Sequence, residues 1–133
     1  MSPVTEPVWV KDDVVLAVHQ RQMAEHGGSD GLRDAGLLAS AVARPRNLYA
    51  YEDPKPDIAA LAAAYAYGIA KNHPFVDGNK RTAFVVCLTF LRLNGHDLDA
   101  SPEEKYVTFL ELAAGRIEES AFADWLRSHI TTK

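Results

Sequence analysis

Residues 58–94 read IAALAAAYAYGIAKNHPFVDGNKRTAFVVCLTFLRLN, two apolar segments around a short polar break. This pattern decides the fold. Ile58, Leu61, Ala62, Tyr65 and Ile69 fall on one helical stripe, and alanines fill most of the remaining positions up to Asn72. A helix that is apolar on nearly every side belongs in the middle of a bundle. Asp57 supplies its N-cap. Pro74 disfavours helical geometry at His73, because its ring crowds the preceding residue. The loop from Pro74 to Gly78 then leads into a second apolar helix, from about Asn79 to Asn94. That helix carries Ala83, Phe84, Val85, Val86, Cys87, Leu88, Phe90, Leu91 and Leu93, and Gly95 ends it by the left-handed route.

Further helices are predicted on both sides. Upstream, one starts at Asp12 or Asp13 and ends near Gly27-Gly28, with Val14, Val15, Val18 and Met23 favouring one face. After the turn at Gly28-Ser-Asp-Gly31, another starts at Asp34 and carries Leu37, Leu38, Ala41 and Val42, with Pro45 expected to stop it. Asn47 to Pro56 reads as a loop, with room for at most a short β-hairpin. Downstream, Ser101-Pro102-Glu103-Glu104 is a capping box with proline in the first helical turn. It opens a fifth helix through Tyr106, Phe109, Leu110 and Leu112, ending near Gly115. A sixth runs from about Glu118 to Ile130 with Phe122, Trp125 and Leu126 inward. No alternating run suggests a sheet. The expectation is an all-α, compact bundle of about six helices with two buried central ones, forming one domain over residues 1–133 with its core at about 12–130.

Composition agrees. The chain has 133 residues, 47% of them hydrophobic, enough for one real core and too apolar for a disordered chain. Its 14 Lys and Arg against 18 Asp and Glu give a formal charge of −4, which argues against a protein that coats nucleic acid. Cys87, the single cysteine, excludes an intramolecular disulfide and a cysteine-built zinc cluster, and it fits a reducing compartment. The longest apolar run, Ile58 to Ala70, is interrupted by Gly68 and falls short of the ~20 residues a membrane span needs. Met1 to Trp9 lacks a basic region followed by an apolar stretch and does not read as a secretory leader. A soluble cytoplasmic protein is expected. His19 and His26 are expected as surface or half-buried residues, His96-Asp97-Leu98-Asp99 as the exit loop of the fourth helix, and His129 near a frayed end.

The polar break carries the chemistry. His73-Pro74-Phe75-Val76-Asp77-Gly78-Asn79-Lys80-Arg81 gathers a histidine, a carboxylate, an amide and two cations between greasy helices that do not need them for solubility. Gly78 lets main chain approach a ligand closely. Asn79, Lys80 and Arg81 stand where a helix begins, and the unpaired N–H groups there make an anion site. Arg81 offers a fork for phosphate oxygens and Lys80 a mobile point charge. Asp77 is a hard oxygen ligand suited to Mg²⁺ with nucleotide phosphates. His73 is a side chain whose unperturbed pKa lies near neutrality, so it suits proton abstraction from a hydroxyl. The plainer alternatives are a packed histidine, a common Asp-Gly turn, and a surface ion pair of Asp77 with Lys80 or Arg81.

HPFVDGNKR resembles the Fic motif, His-Pro-Phe-x-Asp/Glu-Gly-Asn-Gly/Lys-Arg, and Lys80 in place of glycine resembles the Doc (death-on-curing) branch. The similarity extends to Gly31-Leu-Arg-Asp-Ala-Gly-Leu-Leu, to Ala43-Arg-Pro-Arg-Asn-Leu, and to the stretches Ala62 to Asn72 and Lys80 to Gly95. The resemblance implies a toxin that passes the γ-phosphate of ATP to a threonine of translation elongation factor Tu, with ATP and Mg²⁺ as cofactors. It implies His73 as the base, Asp77 as the Mg²⁺ ligand, and Gly78, Asn79, Lys80 and Arg81 at the phosphates. Lys71 is expected to add charge to the site, and Phe75 to anchor the loop in the core. Asn47–Pro56 lies where the family has its substrate-docking flap. Gly78 is the Fic-like choice where a Doc toxin can have alanine, which keeps AMPylation of a protein hydroxyl open as the alternative. A non-catalytic module binding an antitoxin or nucleotide is a third reading, and a ribonuclease a weaker fourth. No Ser/Thr-x-x-x-Glu-Gly/Asn sequence, the self-inhibiting element of some Fic proteins, occurs in the chain. The implied partner is therefore an antitoxin whose disordered segment folds onto the toxin.

Overall fold

The computed structural model describes residues 6–132, so Met1 to Thr5 of the stretch read above as lacking a leader lie outside the described residues. Six helices run in the order α1 (Asp12–His26), α2 (Ala35–Tyr51), α3 (Ile58–Asn72), α4 (Asn79–Leu93), α5 (Pro102–Ala113) and α6 (Glu119–His129). The all-α architecture is thus the predicted one. Alanine-rich α3 forms its axis and packs against α2, α4, α5 and α6. Its Leu61, Ala62, Tyr65, Ala66 and Ile69 are almost wholly excluded from solvent and meet Val86, Phe90, Phe122 and Leu126 in one core. Three helix starts are capped as their sequences demand: Asp34 accepts from Leu37 N–H, Asp57 from Ala60 N–H and Ser101 from Glu104 N–H.

Four expectations are corrected. Pro45 does not stop α2, which continues to Tyr51. An interior proline costs ~3 kcal/mol, and tertiary contacts on both sides of it oppose that cost. The Arg44 guanidinium grips Glu119 of α6 at 2.6 and 2.5 Å. Leu48 and Tyr49 pack against the core, Tyr49 edge-on to Trp9 at 5.6 Å. The Ala41 carbonyl, deprived of its N–H partner by the proline, sits at the crossing with α3, where a Cβ added to Gly68 would lie 3.4 Å from it. Gly68 therefore permits the close approach of α2 and α3.

The second correction follows from the first: the Asn47–Pro56 loop shrinks to residues 52–57, and no hairpin forms there. The third concerns the exit of α4. His96–Leu98 is a strand, β1, paired antiparallel with β2 (Ile130–Thr132) in the register His96↔Thr132 and Leu98↔Ile130. Three-residue strands are too short to show alternation, and the partner comes from the far end of the chain. Fourth, His129 is not frayed: its ring stacks on Trp125 at 4.7 Å, its Nδ1–H donates to the Trp125 carbonyl and its Nε2 lies 2.9 Å from Glu104. No helix of the described residues is long and apolar enough to cross a membrane.

Candidate active site

Helix α3 ends because Pro74 follows His73. Barred from the right-handed helical region, His73 takes the left-handed one (φ 50°, ψ 57°), while its N–H still closes the last turn on the Ile69 carbonyl. Among the described residues it is the only non-glycine with positive φ, a conformation that costs an L-residue ~1–2 kcal/mol.

The α1–α2 connection holds the loop from outside. Arg33 and Asp34 N–H both donate to the Pro74 carbonyl, at 2.7 and 3.0 Å, and Val76 N–H donates to the Gly31 carbonyl at 3.1 Å. These bonds form a short antiparallel bridge between Leu32 and Phe75. Phe75 is buried, and His19 of α1 stacks on its ring at 3.8 Å. The Asn79 amide grips the Phe75 main chain on both sides, accepting from its N–H at 2.9 Å and donating to its carbonyl at 3.0 Å. Asn79 is itself buried, so its side chain braces the loop from within.

Asp77 and Gly78 form the turn into α4. The Asp77 carboxylate accepts from Gly78 N–H at 2.8 Å and from Ser29 N–H at 3.3 Å, and its carbonyl accepts from His19 Nε2–H at 2.8 Å. Gly78 has φ 78°, and a Cβ there would lie 2.2 Å from Met23 Cε and 3.1 Å from Met23 Sδ. Both the left-handed backbone and the methionine favour glycine at this position. The first intrahelical bond of α4 runs from Thr82 N–H to the Gly78 carbonyl, and no side chain caps the helix. The N–H groups of Asn79, Lys80 and Arg81 are thus left over at the positive end of the helix dipole.

These elements enclose a cavity of about 570 Å³. One wall is the motif: His73, Val76, Asp77, Gly78, Asn79, Lys80 and Arg81. The other is the end of α1, with Met23, His26, Gly27 and Gly28. Lys80 and Arg81 are exposed, and neither forms an ion pair among the described residues. The plain surface pair with Asp77 is therefore not formed. The structure brings His73, Asp77, Gly78, Lys80 and Arg81 together around one space. Lys71 stays apart: its ammonium donates to Tyr67 Oη at 2.9 Å, and it does not line the cavity. No residue of the Asn47–Pro56 segment lines the cavity either. A second hollow of about 370 Å³ opens there, among Ser40, Arg44, Asn47, Leu48, Tyr51 and Glu52.

His19 and Met23 also shape the site, and His19 is buried where a surface or half-buried position is expected from the sequence. The signal was available: Val15, His19 and Met23 stand four apart and share the inward face of α1.

A model of the Fic/DOC family matches residues 9–91. Among known proteins, "Protein kinase doc" of Escherichia phage P1 is 35% identical over 118 residues, covering 89% of this chain and 92% of that protein. "Toxin Doc" of Mycolicibacterium smegmatis is 47% identical over 74 residues, which cover 56% of this chain and 57% of that protein.

Proposed function

This chain belongs to the Fic/Doc family, and on that premise we propose that it is a toxin of Doc type. It transfers the γ-phosphate of ATP to a hydroxyl of a protein target, elongation factor Tu, and so arrests translation in the cytoplasm. The observation that carries this reading is the pairing of two uncommitted cations, Lys80 and Arg81, with an uncapped helix N-terminus on the same cavity as His73 and Asp77. That is an anion site with a base and a hard oxygen ligand beside it.

His73 is exposed at the cavity wall and takes the proton of the attacking hydroxyl. Lys80, Arg81 and the leftover N–H groups hold the phosphate oxygens and offset the charge that builds on them. Most of the catalytic work in phosphoryl transfer is placement and charge stabilisation of this kind. The donor set fits Mg²⁺: an exposed carboxylate, Asp77, a hard oxygen donor, faces the phosphate site. Mg²⁺ is ordinarily held by one or two carboxylates together with substrate phosphates, where it neutralises charge between them. The implied partner is an antitoxin that covers the nucleotide site with a segment ordered on binding.

Gly78, the residue that favours AMPylation in the sequence, has a sufficient reason in its φ and in Met23, so it lends that alternative no weight. The test is incubation with elongation factor Tu and ATP labelled at the γ or the α position. γ-label on the target, lost on the order of 10²–10⁴-fold in His73→Ala, is expected. α-label on the target would replace the kinase with an adenylyltransferase. No label from either, with the folded protein, would leave a binding module.

A further inference from the structure

We propose that Arg33 is a positioning residue for His73. It holds the histidine's main chain in the left-handed conformation that aims the imidazole into the cavity. The inference rests on His73 acting as the base. Pro74 disfavours the right-handed conformation at His73 and favours an extended one, so the left-handed geometry observed has to be held by its surroundings. The difference decides where the ring points.

Four hydrogen bonds from two adjacent residues fall on three successive carbonyls around this position. Arg33 Nε donates to the His73 carbonyl at 2.7 Å and Arg33 Nη2 to the Asn72 carbonyl at 2.8 Å. Arg33 N–H and Asp34 N–H donate to the Pro74 carbonyl. The Asn72 and His73 carbonyls are left unpaired where α3 ends, and rotating His73 out of the left-handed region would carry its carbonyl off the guanidinium. The planar fork suits two neighbouring oxygens at once, whereas an ammonium is a single point charge. Arg33 makes no ion pair among the described residues, so its charge faces the negative end of the α3 dipole. It does not line the cavity and so is placed to act through His73, not on the ligand. Its side chain is exposed, which makes it removable without opening the core.

The experiment compares wild type, R33A and R33K, each also in an H73A background, for phosphate transfer from ATP. A displacement of a reacting group by about 1 Å costs on the order of 10²-fold. R33A is therefore expected to lose kcat by about that factor, with KM for ATP held within about twofold. R33K is expected to fall between, and millimolar guanidinium ion to restore part of the R33A activity. In the H73A background R33A should cost nothing further. Three results would overturn the proposal: kcat unchanged, KM raised with kcat kept, or the same loss with and without His73. Should R33A fail to fold, R33K carries the comparison. The His73 ¹³Cα shift, which reports its φ, gives a readout independent of turnover. If the wild type transfers no phosphate, the reading of His73 as base fails separately. A left-handed shift that is lost in R33A then still supports the placement by Arg33, and one retained in R33A overturns it.

Discussion

Replacing Gly78 with alanine separates two reasons for a glycine in this loop. If the glycine serves only the approach of a ligand, Gly78→Ala folds like the wild type and loses nucleotide affinity. The geometry points to the fold instead. An alanine held at φ 78° costs ~1–2 kcal/mol. The new Cβ would also sit 2.2 Å from Met23 Cε and 3.1 Å from Sδ. The methyl end of a methionine moves easily, and Met23 borders the cavity, so it can turn aside at the cost of a rotamer change. Forcing Met23 off its rotamer adds ~0.5–1.5 kcal/mol. The expected loss is about 2 kcal/mol, or roughly 6–10 °C in Tm for a chain of this length. Urea denaturation of Gly78→Ala, Met23→Ala and the double variant provides the assay. Met23→Ala alone costs ~2–3 kcal/mol for the buried thioether. The double variant should be less destabilised than the singles together, by about 1 kcal/mol, because the collision is gone while the φ cost remains. An unchanged midpoint for Gly78→Ala, or strict additivity in the cycle, would refute the reasoning.

Two further outcomes follow from groups away from the site. Tyr65 Oη accepts from Val10 N–H at 2.9 Å and donates to the Val10 carbonyl at 3.2 Å. Burial pushes its pKa up to about 12 against the opposing pull of the Val10 N–H. The folded value lies above the unfolded one, so this contribution to stability is whole below about pH 10 and fades as pH rises through 12. Tyr65→Phe strands two buried main-chain groups and should cost ~1–3 kcal/mol. The 295-nm tyrosinate signal that appears near pH 12 in the wild type should be absent from it, and identical alkaline titrations would count against the assignment. Asp57 accepts two hydrogen bonds from Arg127, at 2.7 and 2.9 Å, and these hold its carboxyl below the ordinary aspartate range. Its stabilisation is present above about pH 4 and is lost as pH falls through the lowered value. Asp57→Asn keeps a cap for α3, so it should be less stable than wild type at neutral pH, with the gap closing in acid. A gap that stays constant down to pH ~2 would contradict the Arg127 pairing.

The helices were legible where local chemistry and tertiary demand agree. The spans of α3 and α4 follow from their all-round apolarity and from His73-Pro74, two N-caps were visible as Asp57 and Ser101, and Asp34 marked the start of α2. Pro45 misleads because a local penalty is outweighed by contacts that sequence spacing cannot show, those of Arg44 with Glu119 and of Ala41 with Gly68. The small sheet is invisible because its strands lie more than thirty residues apart and are three residues long. In the site, the motif named the residues that face the cavity. It did not show that Asn79 turns inward, nor that Lys71, next to the motif in sequence, turns to Tyr67.

The nine-residue motif divides its labour by direction. His73, Asp77, Lys80 and Arg81 face the cavity, while Phe75 and the side-chain amide of Asn79 turn into the protein. Two residues of the loop, His73 and Gly78, lie in left-handed conformations that the local sequence only partly secures. A strained geometry persists when the surroundings over-determine it, and here the surroundings come from α1 and the α1–α2 connection. Arg33 fixes the carbonyls beside His73, His19 fixes the carbonyl of Asp77, and Met23 fills the space above Gly78. All three stand more than thirty-five residues upstream of the positions they hold. A chain carrying HPFVDGNKR without counterparts of His19, Met23 and Arg33 would keep the Asn79 brace and the main-chain bridge, but would lose the side chains that hold His73, Asp77 and Gly78 from outside.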